Sequence, residues 1–205
     1  MKMPYLIKTP ALVKWFYPGL TWQKSPTELI LYLTFDDGPI PEVTPFILKT
    51  LAQFEAKATF FCIGDNVQKH RDIFKQVKAG GHTIGNHTFN HLRGWDTSDK
   101  VYLQNTQKCQ ELVKAKLFRP PYGRAKKSQF AVLKKQYEVI MWDVLSGDFD
   151  TDLSPQKCYQ NVVDKSSNGS IIVFHDSLKA FPRIQYALPK ALEYWQNKGY
   201  QFKSL

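Results

Sequence analysis

Cysteine is scarce: Cys62, Cys109 and Cys158 are the only three in 205 residues. Their number is odd and their spacing matches neither a zinc site nor a disulfide framework, so buried free thiols are expected. Long apolar runs are also missing, and none approaches the length that spans a membrane. Residues 1–20 contain Lys2, Lys8 and Lys14 and are interrupted by Pro4, Pro10 and Pro18. They lack the unbroken apolar core and small-residue cleavage site of a signal peptide. A cytoplasmic location follows by default, with action at the cell envelope left open. Acidic residues are few, 18 against 28 Lys and Arg, for a net charge of +10. Such a surface attracts anions. The lysines are spread along helices rather than blocked together, and no helix-turn-helix, zinc-finger or RNA-binding signature appears. Nucleic acid is therefore not expected as a partner. Repeats and low-complexity segments are absent.

What is present is a series of short apolar runs. Leu29-Ile30-Leu31-Tyr32-Leu33-Thr34-Phe35 is continuous and β-branched, the pattern of a strand buried on both faces,. Similar runs lie at 58–63, 82–84, 117–119, 137–142, 170–174 and 200–203. Between them, helical spacing links Val43, Ile47 and Leu51, then Phe74 and Val77, and later Ile184, Leu188 and Leu192,. Pro41 and Pro155 stand at helix starts, and Gly80-Gly81 and Gly199 at helix ends,. Strands alternating with helices predict an α/β fold with a parallel sheet. A single-domain distorted (β/α)7 barrel, TIM-barrel-like, suits that order, with an open doubly wound sheet as the alternative. Residues 1–28 read as a lead-in that packs on the barrel through Leu12, Val13, Trp15, Phe16, Leu20 and Trp22. Residues 29–205 are the barrel itself, and a monomer is expected.

Charged and polar residues gather where the strands stop. Asp36-Asp37-Gly38-Pro39 follows the first run. Two carboxylates at the end of a buried strand need a metal, a cation or solvent, because an unpaired buried charge costs several kcal/mol. An ordinary alternative is one Asp capping the next helix while the other faces water. His87 and His91 follow the third strand, Arg119 and Tyr122 the fourth, Asp143 and Asp148 the fifth, and His175 and Asp176 the sixth. In a parallel barrel these ends share one face, the face on which active sites are built. His87 and His91 are four apart, so one helical turn would bring both imidazoles to one ion. Two histidines and a carboxylate form a three-ligand zinc site that leaves a position for water. His70 sits in a charged helix and is expected to face solvent, while His82 packs at a strand start. Asn86-His87-Thr88 and Asn168-Gly169-Ser170 fit the glycosylation pattern and are treated as chance matches,.

Five of these stretches, in order, resemble the signatures of the polysaccharide deacetylase family (NodB-homology, carbohydrate esterase family four). They are Thr34-Phe35-Asp36-Asp37-Gly38-Pro39, His87-Thr88-Phe89-Asn90-His91, Arg119-Pro120-Pro121-Tyr122-Gly123, Asp148-Phe149 and Val173-Phe174-His175. The resemblance covers residues 29–205. It implies that Asp37, His87 and His91 hold one divalent metal, with zinc leading and cobalt or manganese able to serve. It implies Asp36 as general base, Arg119 as its ion-pair partner, and the Tyr122 N–H as an oxyanion donor beside the metal. His175 would be the general acid and Asp148 its orienting carboxylate; Asp148 fits the signature better than Asp143. Leu92, Phe149 and Val173 depart from the residues usual in the family at those places (Pro, Trp and Leu).

The implied activity is metal-dependent removal of N-acetyl groups from amino sugars of an N-acetylated oligo- or polysaccharide, such as peptidoglycan, a chitin-like chain or another envelope glycan. The same site acting on a non-sugar amide, an imide or an O-acetylated glycan is the rival enzyme. A carbohydrate-binding protein on the same fold is the rival outside catalysis.

Overall fold

The computed structural model describes residues 5–205. Strand β1 (Ile30–Asp36) lies at its centre and is buried along nearly its whole length. It pairs in parallel with β2 (Thr59–Cys62) on one side and β7 (Ile171–His175) on the other. The sheet continues from β2 to β3 (Thr83–Asn86), β4 (Leu117–Phe118) and β5 (Glu138–Val139), and from β7 to β6 (Val144–Leu145). The short β8 (Gln201–Phe202) pairs with the start of β1, below β2. All these pairings are parallel, as expected for strands joined by helical crossovers.

The run at 137–142 does not form one strand. Residues 138–140 pair with β4, with Ile140 N–H donating to the Phe118 carbonyl at 2.8 Å. Asp143 N–H then donates to Ile171 O at 3.0 Å, and Val144 and Leu145 pair with β7. One segment thus changes partner midway and joins the two edges of the sheet. Counting it once leaves seven strand positions curled into a distorted (β/α)7 barrel. Around Met141 and Trp142 the segment has no strand partner, and its backbone groups must be satisfied otherwise. The lead-in supplies three bonds: Met141 N–H donates to Thr21 O at 2.7 Å, Thr21 N–H to Val139 O at 2.9 Å and Thr9 Oγ1 to Trp142 O at 2.8 Å.

The helices follow the apolar spacing. They include α1 (Ala11–Phe16), α2 (Val43–Gln53), α3 (Gly64–Lys69), α4 (Arg71–Ala79), α5 (Asp99–Val113), α6 (Lys127–Leu133), α7 (Pro155–Lys165) and α8 (Phe181–Asn197). Ser98 and Ser154 cap α5 and α7 through their hydroxyls,. Val43, Ile47 and Leu51 of α2, and Ile184, Leu188 and Trp195 of α8, are buried against the sheet. Phe35 stacks between Phe60 and Phe174 at centroid distances of 5.0 and 5.9 Å, locking the three central strands. Each such ring contributes about 1.5–3 kcal/mol by leaving water. All three cysteines are free and buried. Among the described residues no helix is long and apolar enough to cross a membrane.

The lead-in is fastened by charge as well as by apolar packing. Asp143 accepts from Lys8 at 2.5 Å, Lys14 at 2.7 Å and Ser170 at 2.6 Å. Burial works to raise this carboxyl, but those three donors override it and hold it below the usual carboxylate range,. Trp22 is buried and Val13 and Leu20 are half-buried, whereas Leu12, Trp15 and Phe16 of α1 are exposed by 64, 73 and 61%. The expected packing of these last three is therefore not found: α1 has under two turns, and it turns Val13 and Lys14 toward the barrel instead.

Candidate active site

The strand ends carry the polar residues onto one face, as parallel topology requires. Asp36 ends β1 and lies in register with His175, which ends β7. The next residue, Asp37, has φ 91°, so the backbone swings out of the sheet there. Asp176 holds this turn in place. It is buried, its Oδ1 accepts from Gly38 N–H at 2.7 Å, and its Oδ2 accepts from Thr44 Oγ1 at 2.7 Å. Burial raises the Asp176 carboxyl well above its usual range, against those two bonds. Gly38 is required: a Cβ there would sit 1.7 Å from Asp176 Oδ2. Sequence reasoning placed Asp176 at a strand end but gave it no role. Its adjacency to His175 was the signal available.

His87 and His91 do come together, with ring centroids 5.1 Å apart, but no helical turn brings them there. Residues 87–92 form a loop in which Thr88 (φ 63°) and His91 (φ 56°) adopt left-handed backbone. Asn86 Oδ1 accepts from Thr88 N–H, and Asn105 Oδ1 from Phe89 and Asn90 N–H, so side chains fix the loop. Spacing of four is equally compatible with such a loop, and the left-handed backbone at Thr88 and His91 keeps it from being helical.

Asp37 Oδ1 lies 3.3 Å from His91 Nε2 and 3.8 Å from His87 Nε2. One ligand atom from each residue falls within 4.8 Å of the others. His87 Nδ1 is 2.8 Å from the Arg119 carbonyl, which leaves its Nε2 for the cleft. Burial pushes both imidazoles down, His87 well down and with His91 nearby adding to it, so both favour the neutral form that ligates metals,. Asp37 Oδ1 is buried with no hydrogen-bond partner among the described residues. An orphaned carboxylate oxygen facing two neutral imidazoles is a donor set that fits a divalent cation.

Asp36 is buried against Arg119, whose Nη1 donates to its Oδ1 at 2.7 Å. The guanidinium also donates to Thr34 Oγ1 at 2.7 Å, Ile140 O at 3.2 Å and Met141 O at 2.8 Å, and lies 4.1 Å from the Phe61 ring centroid. Arg119 thus satisfies the inward carbonyls that the split strand leaves open. On the other side, His175 Nδ1 is 2.7 Å from Asp148 Oδ1, and Asp148 Oδ2 accepts the His175 backbone N–H at 2.7 Å. Burial alone would lower this imidazole; the Asp148 carboxylate outweighs it and lifts His175 to about 9. Arg183 of α8 donates to the Asp148 carbonyl at 2.6 Å, a support that no sequence motif flagged. Asp143 lies apart from these groups in its lysine clamp.

Asp36, Asp37, His87, His91, Tyr122 and His175 line one cleft of about 440 Å³. Tyr122 has φ 59° within the turn Pro121–Gly123, and its ring is 4.6 Å from that of His91. Val173 and Phe149 also line the cleft, whereas Leu92 packs into a side cluster. His82 accepts from Ala58 N–H outside the cleft, and His70, at the joint of α3 and α4, is half-buried rather than fully exposed.

Comparison with known proteins matches the polysaccharide deacetylase family model to residues 23–139. The chain belongs to the polysaccharide deacetylase family. It is 35% identical over 190 residues to a peptidoglycan-N-acetylglucosamine deacetylase of Bacillus cereus, covering 89% of each protein. It is 34% identical over 154 residues to a chitooligosaccharide deacetylase of Azorhizobium caulinodans, covering 71% of this chain and 73% of that one. Among solved structures, the Bc1960 peptidoglycan N-acetylglucosamine deacetylase in complex with a naphthalenyl N-oxidanyl-benzamide superposes with TM-score 0.88. That pair is 31% identical, and the match covers 96% of this chain and 95% of the other. As a polysaccharide deacetylase, the chain has all five signature stretches around a single cleft.

Proposed function

We propose that this polysaccharide deacetylase is a metal-dependent hydrolase that removes N-acetyl groups from amino sugars of an oligo- or polysaccharide. The observation that carries the reading is that Asp36, with Arg119 paired behind it, and His175, with Asp148 paired behind it, line one cleft with the Asp37, His87 and His91 donor set. The named activities of the two relatives, a peptidoglycan-N-acetylglucosamine deacetylase and a chitooligosaccharide deacetylase, support it. Residues 29–205 would form the catalytic domain and residues 1–28 its lead-in. One copy carries every group required, which supports a monomer.

Asp37, His87 and His91 would hold the divalent ion, with zinc the leading candidate for this ligand set. When bound, the ion supplies Lewis acidity, making water more acidic and the acetyl carbonyl more electrophilic. Asp36 Oδ1 is committed to Arg119, so Oδ2 takes the proton as water adds to the carbonyl carbon,. Arg119 holds that carboxylate in place until the proton arrives,. The Tyr122 N–H, which donates to no carbonyl among the described residues, is available to the oxygen that gains charge,. His175, with Nδ1 held by Asp148, gives the proton on Nε2 to the departing nitrogen as the C–N bond breaks. Acetate and a free amine leave.

The test is acetate release from N-acetylglucosamine oligomers by metal-stripped protein, with zinc or cobalt restored, beside Asp36→Ala. Metal-dependent release lost in the variant supports the reading. A metal-loaded protein that leaves these oligomers untouched but cleaves an O-acetylated glycan or a cyclic imide moves it to those substrates. A protein that binds no metal and releases nothing overturns it.

A further inference from the structure

The lead-in reaches the cleft. Tyr5 lines it together with Phe149 and His175. The Tyr5 and Phe149 rings meet edge to face, centroids 4.9 Å apart at 61°. Phe149 in turn meets the His175 imidazole edge to face, 5.3 Å away at 74°. The Tyr5 hydroxyl donates to Asp150 Oδ2 at 3.0 Å. The backbone behind it is anchored, since Leu145 N–H donates to Ile7 O at 2.8 Å and Thr9 N–H to Asp143 O at 2.9 Å.

Phe149 stands in an irregular loop between β6 and α7, so no strand or helix sets its ring. Its position must come from what it packs against. Asp148 grips His175 only through Nδ1 and the backbone N–H, and these bonds leave the imidazole free to tilt about the Nδ1 contact. The ring that meets the imidazole is Phe149, and behind Phe149 stands Tyr5. We propose that Tyr5, contributed from outside the barrel, is a positioning residue for His175, acting through the Phe149 ring. This rests on the reading of His175 as the proton donor. Donor placement is sensitive, because small displacements of a reacting group cost large factors in rate.

The experiment compares Tyr5→Ala and Tyr5→Phe in the full-length, metal-loaded protein, each alone and with His175→Ala. Tyr5→Ala should lower kcat roughly tenfold with KM unchanged, on the scale that misplacement of a catalytic group produces. Tyr5→Phe keeps the ring and should stay within about twofold, since the edge-to-face contact is retained. In the His175→Ala background, Tyr5→Ala should cost nothing more. The imidazole NMR resonances of His175 should move in Tyr5→Ala and stay in place in Tyr5→Phe. A rise in KM alone would make Tyr5 a glycan contact and overturn the proposal. So would equal losses in both Tyr5 variants, or an undiminished loss without His175. The NMR arm does not depend on turnover. Resonances that move in Tyr5→Ala while the wild-type protein releases no acetate would sink the deacetylase reading and keep the positioning. Unmoved resonances would sink the positioning even in an active enzyme.

Discussion

Arg119 Nη1 donates to Asp36 Oδ1 at 2.7 Å, with side-chain exposures of 0 and 5%. A pair this deep is strongly asymmetric: removing one partner strands the other charge, typically at a cost of about 3–5 kcal/mol, whereas removing both is far milder. Arg119→Met should therefore destabilise the fold by that order, and Asp36→Asn combined with Arg119→Met should recover part of the loss. Urea unfolding of the three proteins checks this. Arg119→Lys should not rescue fully, because an ammonium cannot serve Thr34, Ile140 and Met141 together with Asp36.

His175 is raised to about 9 from an ordinary value of 6.5, burial being outweighed by Asp148. In the proposed role of proton donor it must be charged, so kcat should hold through neutral pH and fall as pH rises through about 9. In Asp148→Asn the opposing effect of burial is left dominant, and the fall should shift to lower pH. The stability linked to this group has the same sign: it is fully present below pH 6.5 and is lost as pH rises through about 9,. Rate profiles and thermal unfolding at pH 6, 8 and 10 read the two effects separately.

Asp37 Oδ1 has no hydrogen-bond partner among the described residues, and it faces His87 and His91. In metal-free protein, Asp37→Asn should thus raise the unfolding midpoint slightly by removing a poorly compensated charge. With zinc added, the wild type should gain stability by mass action and Asp37→Asn, His87→Ala and His91→Ala should gain little. Calorimetric melts with and without metal would reveal the crossover.

Gly38→Ala places a methyl against the Asp176 carboxylate, where a Cβ would lie 1.7 Å from Oδ2. That carboxylate cannot retreat easily, since Asp176 is held by both Thr44 and the Gly38 N–H. Overpacking of this kind costs about 1–3 kcal/mol. Because the shift propagates to Asp36 and Asp37, turnover should fall more steeply than stability. Activity measured well below the unfolding midpoint distinguishes the two losses.

Apolar runs bounded by Gly, Pro and polar clusters were enough to locate the strands and the order of helices, because burial on both faces leaves an unbroken signature. The candidate site residues were legible as polar residues at strand ends, and the structure pairs Asp36 with Arg119 and Asp148 with His175. Three features were not legible. The split at Met141–Trp142 is served by a guanidinium that lies 22 residues earlier in the chain than the Met141 carbonyl it donates to. The His87–His91 loop depends on Asn105, a side chain from α5. Arg183 and Tyr5 reach the site from a distant helix and from the lead-in, through contacts that carry no local pattern.

The partner change in residues 138–145 ties assembly to charge placement. The same guanidinium that donates to the carbonyls of Ile140 and Met141 also neutralises Asp36. A chain whose last seam is still open has therefore not yet set its carboxylate. Half-assembled protein should be silent rather than slow or promiscuous, and recovery of turnover during refolding would report the moment the ring closes.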